Sequence, residues 1–353
     1  MSPVRIVVIG AGVVGLATAA ALRDRGADVV CIEADAPMSQ RSRGASRIFR
    51  LAHGDPELVA LAAAAMEVYG EWAERAGAPM IGSEQTVVAG PDVGEWSAAM
   101  AAAGVPFDVT DRAPGLPVRS LPGPLLVDPS GGVIDAQAVG RHLVDRVGGA
   151  LVIGTVTEIG ETPGGVRVRT ALNSYDADSV VIVAGAGTVS LAASAGIDLG
   201  APLRHHVRFT FTRDEPATGQ VAPCLIDRTE SWRPDFTSYQ HRTAPGRWAV
   251  GAHLAHEAVA WEKGRDAVVD LSRRLTSQYV RQCLTGVGTV AVEELYCDVA
   301  AGWGDGYRIA RRGAVLAMAG DNLFKLAPVL GGALAEAALS GGTPPGVGEP
   351  ASP

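Results

Sequence analysis

Apolar and polar positions follow two different periods along this chain, and the changes of period outline its elements. Val4-Arg5-Ile6-Val7-Val8-Ile9 is a short, mostly β-branched run. It passes into Gly10-Ala11-Gly12-Val13-Val14-Gly15 and then into the helix-forming Leu16-Ala17-Thr18-Ala19-Ala20-Ala21-Leu22. A second apolar run, Asp28-Val29-Val30-Cys31-Ile32, ends on Glu33. This order predicts strand, glycine turn, helix, strand. A polar loop rich in Ser and Arg follows over residues 34–46. Asp55-Pro56-Glu57 is a helix start signal, and the helix it opens runs to about residue 75. From about 81 to 134 Gly and Pro break the pattern into short strand-like pieces such as Gln85-Thr86-Val87-Val88. Residues 136–147 read as a helix. Residues 152–159 and 165–170 read as an alternating pair of strands, and 177–187 as a buried strand ending in glycines, followed by a helix at 190–195. Strong alternation over 201–256 predicts an antiparallel sheet. A helix at 267–279, a last buried strand at 314–320 and a last helix at 327–339 complete the series.

Pieces of α/β character thus stand at the start, middle and end of the chain, with β-rich stretches between them. The predicted fold class is α/β, with one discontinuous Rossmann-like domain and an antiparallel β-rich (α+β) domain inserted twice. The nucleotide domain is assigned 1–82, 138–200 and 301–340, and the inserted domain 83–137 and 201–300. The Gly- and Pro-rich residues 341–353 read as a flexible tail.

The first 33 residues carry the clearest chemistry. In a dinucleotide fingerprint Gly10 permits the tight turn, Gly12 lets the backbone approach a pyrophosphate, and Gly15 lets the helix pack close to the strand. Ala11, Val13 and Val14 place backbone N–H groups at the positive end of the helix, where phosphate oxygens bind. Glu33 stands where a carboxylate accepts hydrogen bonds from ribose hydroxyls.

The chain has 353 residues, 47% of them hydrophobic, enough for a large core and about two domains. A net charge of −8 and the lack of a long basic stretch argue against nucleic acid as a partner. The four cysteines, Cys31, Cys224, Cys283 and Cys297, are widely spaced with no CxxC pair, so neither a metal site nor a redox dithiol is expected. Such sparse cysteine fits a reducing cytoplasm. The apolar N-terminus carries its glycines in fingerprint register rather than a signal-peptide boundary, and no stretch reaches the roughly 20 apolar residues of a membrane span. A cytoplasmic protein, free of the membrane, is expected.

Four segments resemble those of the flavin amine oxidases of the D-amino-acid-oxidase superfamily, in the branch of monomeric sarcosine oxidase and N-methyltryptophan oxidase. They are the N-terminal fingerprint; Ser42-Arg43-Gly44-Ala45-Ser46-Arg47-Ile48-Phe49-Arg50; the glycine-ended strand 180–187; and the stretch from Tyr296-Cys297 through Asp305-Gly306-Tyr307-Arg308-Ile309 to Gly320-Asp321-Asn322-Leu323-Phe324-Lys325. The resemblance covers nearly the whole chain. It implies FAD as cofactor, held by the fingerprint residues, by Ser42, Arg43, Gly44, Ala45, Ser46 and Arg47, and by Val156, Ala184, Gly185, Gly320, Asn322, Phe324 and Lys325. By itself a lone Cys297 reads as a small apolar residue; the resemblance implies that its sulfur carries the flavin covalently.

The same resemblance implies the catalytic set. Arg50 and Lys325 would anchor a substrate carboxylate, the guanidinium through two parallel hydrogen bonds. Alone, Lys325 also reads as a snorkelling surface lysine and Arg50 as half of a surface ion pair. Arg47 would lie on or near the flavin ring. His253, which alone reads as a packed rim histidine, matches an active-site histidine that orients the amine or tunes its protonation. Tyr239 and Trp248 stand on neighbouring strands as pocket or packing residues. Two departures stand out: Asp305 falls one place late in its pattern, and Ala249 stands where the family often has a lysine that promotes reaction with oxygen.

The expected activity is oxidation of a carboxylate-bearing secondary, cyclic or primary amine to an imine, with electrons passing to O2 to give H2O2. The small-molecule amine or amino acid and O2 would be its partners, in a monomer or small homo-oligomer. The alternatives are a dehydrogenase with another electron acceptor, a glycine-oxidase-like enzyme with non-covalent FAD, and a flavin-binding subunit without turnover.

Overall fold

The computed structural model describes residues 3–200, 202–215, 221–300 and 304–347. Of the expected segments, residues 1–2, 201, 216–220, 301–303 and 348–353 lie outside these described residues. The chain opens with β1 (Arg5–Ile9), α1 (Val13–Asp24) and β2 (Asp28–Glu33), then β3 (Ser46–Phe49) and α2 (Pro56–Ala76). Asp55 caps α2 by accepting from Glu57 N–H, with Pro56 in the first turn where no N–H is needed. β4 (Thr86–Ala89), α3 (Val93–Ala102), β5 (Asp108–Thr110), β6 (Leu125–Asp128) and β7 (Gly132–Asp135) lead to α4 (Ala136–Val147), which Asp135 caps through Ala138 N–H.

β8 (Leu151–Ile153), β9 (Val156–Thr162), β10 (Gly165–Thr170), β11 (Ser174–Ala177), β12 (Ser179–Ile182) and α5 (Gly187–Ser194) follow. β13 (Leu203–Arg213), β14 (Cys224–Asp227), β15 (Phe236–Ala244), β16 (Arg247–Leu254), α6 (Arg265–Cys283) and β17 (Val287–Ala300) form the long β-rich stretch. β18 (Tyr307–Arg312), β19 (Val315–Gly320) and α7 (Ala327–Ser340) close the chain.

One sheet gathers the scattered α/β pieces in the order β18-β19-β12-β1-β2-β8. Its central pairs are parallel, and their residues are apolar on both faces, as a sheet covered by helices requires. β12, almost 150 residues after β2, lies on the other side of β1. This strand order makes the domain discontinuous in sequence. The second sheet runs β17-β13-β16-β15-β14-β4-β6-β5 and is antiparallel except where β14 meets β4.

Three expectations need correction. Residues 152–159 do not form one strand: the chain breaks at Gly154-Thr155, so β8 joins the parallel sheet while β9 pairs with β10 in a separate ribbon. The buried strand of the run 177–187 is shorter than expected: Ala177 ends β11, β12 covers only Ser179–Ile182, and the glycines lie beyond the strand. The tail starts in order, since Val347 is buried and exchanges both backbone hydrogen bonds with Tyr307. Residues 323–340, α7 and the turn before it, are long and apolar enough to cross a membrane. They pack instead mostly inside the protein, against α1 and α2.

Candidate active site

The glycine turn, the loop 41–50 and one face of the second sheet converge on the same region. Gly10 takes φ +104°, and a Cβ there would lie 2.6 Å from the Val183 carbonyl oxygen and 2.7 Å from Ala184 Cα. The turn and the glycine-ended segment with Ala184 and Gly185 are therefore in direct contact. Ala11 N–H donates to Glu33 Oε2 at 2.7 Å, and Val13 N–H donates to Ser42 Oγ at 3.0 Å. A cleft of about 430 Å3 adjoins this helix end, lined by Met38, Ser42, Arg43, Gly44, Gln137 and Arg141. Val14 and Gly15 are buried in the first turn of α1. Val156 packs against the apolar cluster of Ile9, Ile32 and Val166.

Arginine side chains lash the loop over the sheet. Arg47 donates to the carbonyl oxygens of Ser46, Arg41 and Arg43, and its guanidinium lies 5.4 Å from the centre of the Phe324 ring. Arg43 donates to the Tyr296 carbonyl oxygen at 3.1 Å, next to Cys297. Arg41 pairs with Asp321 and donates to the Gly320 carbonyl oxygen. Gly44, at φ +100°, packs against Leu295; Ala45 accepts from Ala136 N–H; and Ser46 Oγ lies 2.9 Å from His241 Nε2.

Strand alternation explains what that loop covers. Side chains two residues apart share a face, and the registers align His206 and Arg208 of β13 with Cys297 and Leu295 of β17 and with Gly251 of β16. Tyr239 and His241 of β15 lie opposite Gly251 and Ala249. The other face carries Phe209, Phe211, Trp248, Val250 and Phe236, packed on Val269, Tyr279 and Val280 of α6. Trp248 is thus a core residue, its indole N–H donating to Gln240, while Tyr239 belongs to the polar face, its hydroxyl 2.8 Å from His206 Nε2. The ring of Tyr239 lies over Gly251, where a Cβ would meet it at 2.1 Å.

Arg50 and Lys325 meet through a third residue. Both are buried, and each makes an ion pair with Asp305: Arg50 through Nη2, Lys325 through Nζ at 3.8 Å. Asn322 Nδ2 donates to Asp305 Oδ1 at 2.7 Å. His53 Nδ1 lies 3.1 Å from Arg50 Nη1 and 3.3 Å from Asp305 Oδ2. Burial and the adjacent Arg50 push the His53 pKa down to about 3, so the ring is neutral and Nδ1 serves one of these partners at a time. Burial also lowers the Lys325 pKa to about 8, against the pull of Asp305. For Asp305, burial alone would raise the pKa, but Lys325, Arg50 and His53 outweigh it and hold the carboxyl well below its usual range.

Arg50 lies over the Trp96 ring at 4.8 Å, and buried Asp128 accepts from the N–H groups of Leu51 and Ala52 at 2.5 and 3.2 Å, fixing the backbone beside it. His253 is open to water, its ring 5.7 Å from His206 and 5.5 Å from Tyr239. The protein around it lowers its pKa through desolvation, against the pull of Asp305. It makes no hydrogen bond to Arg50 or Lys325 among the described contacts. Sequence reasoning missed Arg41, His53, Asp128, His206, Arg208 and His241, none of which stands in a local motif.

These residues fit FAD. Gly12 leaves a space that a Cβ would fill, bounded by Ser42 Oγ at 3.2 Å. Beyond the helix end, buried Arg208 donates through Nη1 to the Ser46 carbonyl oxygen, while its Nε and Nη2, and His241 Nδ1, lack partners among the described residues. Burial and then Arg208 lower the Arg47 pKa to about 10. A cationic floor with unspent donors suits a cofactor that carries a pyrophosphate and whose ring gains negative charge on reduction.

Comparison with known proteins identifies relatives of this chain and of its fold. The family model described as FAD dependent oxidoreductase (DAO) matches residues 5–337. The peroxisomal sarcosine oxidase of Mus musculus is 28% identical over 243 residues, which span 62% of this chain and 61% of that enzyme. The structure of NikD, an unusual amino acid oxidase essential for nikkomycin biosynthesis, superposes with a TM-score of 0.82 at 20% identity, covering 96% of this chain and 95% of NikD. L-proline dehydrogenase from P. horikoshii superposes with a TM-score of 0.75 at 18% identity, covering 96% and 94%.

Proposed function

Because the chain belongs to the FAD dependent oxidoreductase (DAO) family, we propose that it oxidises a carboxylate-bearing secondary, cyclic or primary amine to the imine. The observation that carries this reading is the convergence of two buried cations, Arg50 and Lys325, on one carboxylate position. Buried cations that share an anion are costly to leave unpaired, and a substrate carboxylate can take that place. Similarity to a sarcosine oxidase and to the folds of an amino acid oxidase and a proline dehydrogenase supports the same substrate class.

FAD, when bound, supplies the two-electron oxidation of the C–N bond. The protein supplies placement. Arg50 and Lys325 hold the carboxylate, so the α-carbon and the amine present one face. His253, exposed beside His206 and Tyr239, would lie on the amine side. Its lowered pKa favours the neutral imidazole, which can accept a hydrogen bond from the amine without adding a positive charge beside it. The glycine turn, Glu33 and Ser42 would hold the dinucleotide, Arg47 and Phe324 would lie at the flavin ring, and Cys297 would carry it covalently. A cytoplasmic setting is part of the proposal.

Electrons would pass to O2, giving H2O2. Ala249 favours a second reading: it is fully buried on the polar sheet face and offers no amine where the resemblance places an oxygen-promoting lysine. The enzyme would then pass electrons to another acceptor.

The test mixes FAD-loaded enzyme anaerobically with N-methylglycine, proline and pipecolate, and with their decarboxylated counterparts. Bleaching of the flavin by the acids alone is expected. Bleaching by none of them, or equally by the amines lacking a carboxylate, would sink the reading. Admitting air and then a dye acceptor separates oxidase from dehydrogenase by which of the two restores colour.

A further inference from the structure

Both terminal nitrogens of Arg50 already have partners. Nη2 is committed to Asp305, and Nη1 donates to the Ala52 carbonyl oxygen and lies beside His53 Nδ1. A two-armed grip on a carboxylate uses parallel donors on one side of the guanidinium, and on the Nη2 arm, the one that shares its anion with Lys325, Asp305 already holds the place. A substrate carboxylate therefore meets a seat already filled by a carboxylate of the chain itself.

The occupant and the seat differ in how firmly they are held. The Arg50 and Lys325 side chains are 8% and 5% exposed, whereas that of Asp305 is 21% exposed. Asp305 stands between Gly304, at φ +58° with open space where a Cβ would be, and Gly306. Its further holder, Asn322, is exposed and has a left-handed backbone, φ +52°. The cations are packed; the carboxylate sits at the solvent side on a glycine-flanked turn.

We propose that Asp305 is a built-in competitor: it holds the seat between Arg50 and Lys325 in the resting enzyme, and a substrate's carboxylate must displace it towards solvent. This rests on the reading of Arg50 and Lys325 as the carboxylate seat. Exchanging one carboxylate for another leaves the charge of the cluster unchanged, so the buried cations are never exposed without a partner. A neutral ligand cannot make the exchange. A bare carboxylate gains little from it, because its affinity is reduced by the small fraction of open seats. A ligand that adds contacts at its amine end overcomes that reduction. Asp305 thereby selects complete amino-acid-like substrates over simple acids.

Calorimetric titration of the FAD-loaded enzyme with sodium propionate, and with propionamide as the neutral control, tests this at pH 7 and fixed ionic strength. Asp305→Asn is expected to bind propionate at least about tenfold more tightly than the wild type, with propionamide unchanged. Asn322→Gly removes a hydrogen bond to Asp305 without altering the charge balance, and is expected to tighten propionate about threefold. It decides the matter if Asp305→Asn does not fold. If neither variant gains affinity while the wild type binds propionate, Asp305 is a fixed counter-ion and the proposal fails, with the carboxylate seat intact. If no form binds propionate, the seat itself is misassigned and the proposal falls with it.

Discussion

Gly15 lies so close to the carbonyl oxygen of Gly10 that a Cβ on Gly15 would sit 1.8 Å from that oxygen. The neighbour is backbone, which cannot rotate away as a side chain can. Gly15→Ala must therefore push α1 off β1, at or above the ~1–3 kcal/mol typical of overpacking. Gly12→Ala meets only Ser42 Oγ, at 3.2 Å. Thermal melting of the FAD-free proteins is expected to show a clear loss for Gly15→Ala and little for Gly12→Ala, while FAD titration shows weakened binding in both. A Gly12→Ala protein that binds FAD like the wild type would remove the pyrophosphate from this turn.

Cys297 is half-buried on the polar face of β17, paired in register with His206, beneath the loop that Arg43 ties to Tyr296. The wild-type protein is expected to keep its yellow colour in the pellet after acid precipitation, and Cys297→Ser to release it. Replacing sulfur by oxygen changes little volume, so the melting temperature of the FAD-free variant is expected to match the wild type. Colour in the wild-type supernatant would show that the flavin is not covalently bound.

Lys325 gives the site a pH limit. Burial lowers its pKa to about 8; Asp305 raises it, and Arg50 and Arg41 lower it further. His53 beside it stays neutral through this range, and Asp305 stays ionised. The ammonium is therefore present below pH 8 and is lost as pH rises through 8. The dissociation constant of a carboxylate ligand is expected to be flat below that point and to climb above it. Lys325→Met is expected to weaken binding about 10- to 100-fold at pH 7, the value of a charged hydrogen bond, and to flatten the profile. A wild-type profile that stays level to pH 10 would place the carboxylate elsewhere.

The fingerprint was readable because its glycines act within six residues of one another, and the helices at 136–147 and 327–339 because their periodicity is local. What escaped is what depends on distant partners. Arg50 and Asp305 are 255 positions apart, and no local pattern marks either as the other's counter-ion. Asp305 stood out only as misplaced by one residue, and the structure turns that displacement into a contact. His206 and Arg208 were missed for a different reason. Polar residues alternating along an antiparallel strand imply a solvated face, but here that face lies against the 41–50 loop. The division of 152–159 into β8 and β9 escaped because both halves alternate, and only Gly154 marks the change of sheet.

Arg208 provides the sharpest test of that hidden face. It is buried, and among the described residues its side chain donates only to the Ser46 carbonyl oxygen, leaving Nε and Nη2 without a partner. A buried guanidinium without a counter-ion destabilises the protein that holds it. Arg208→Met keeps much of the apolar stem and removes the charge. Without FAD, this variant is expected to melt at or above the wild-type temperature. With saturating FAD the order is expected to reverse, because ligand stabilisation follows affinity and the variant has lost donors that the cofactor would use. Melting both proteins with and without FAD separates the two roles. An equal loss in both states would make Arg208 a plain structural residue, its guanidinium worth more to the fold than to the flavin.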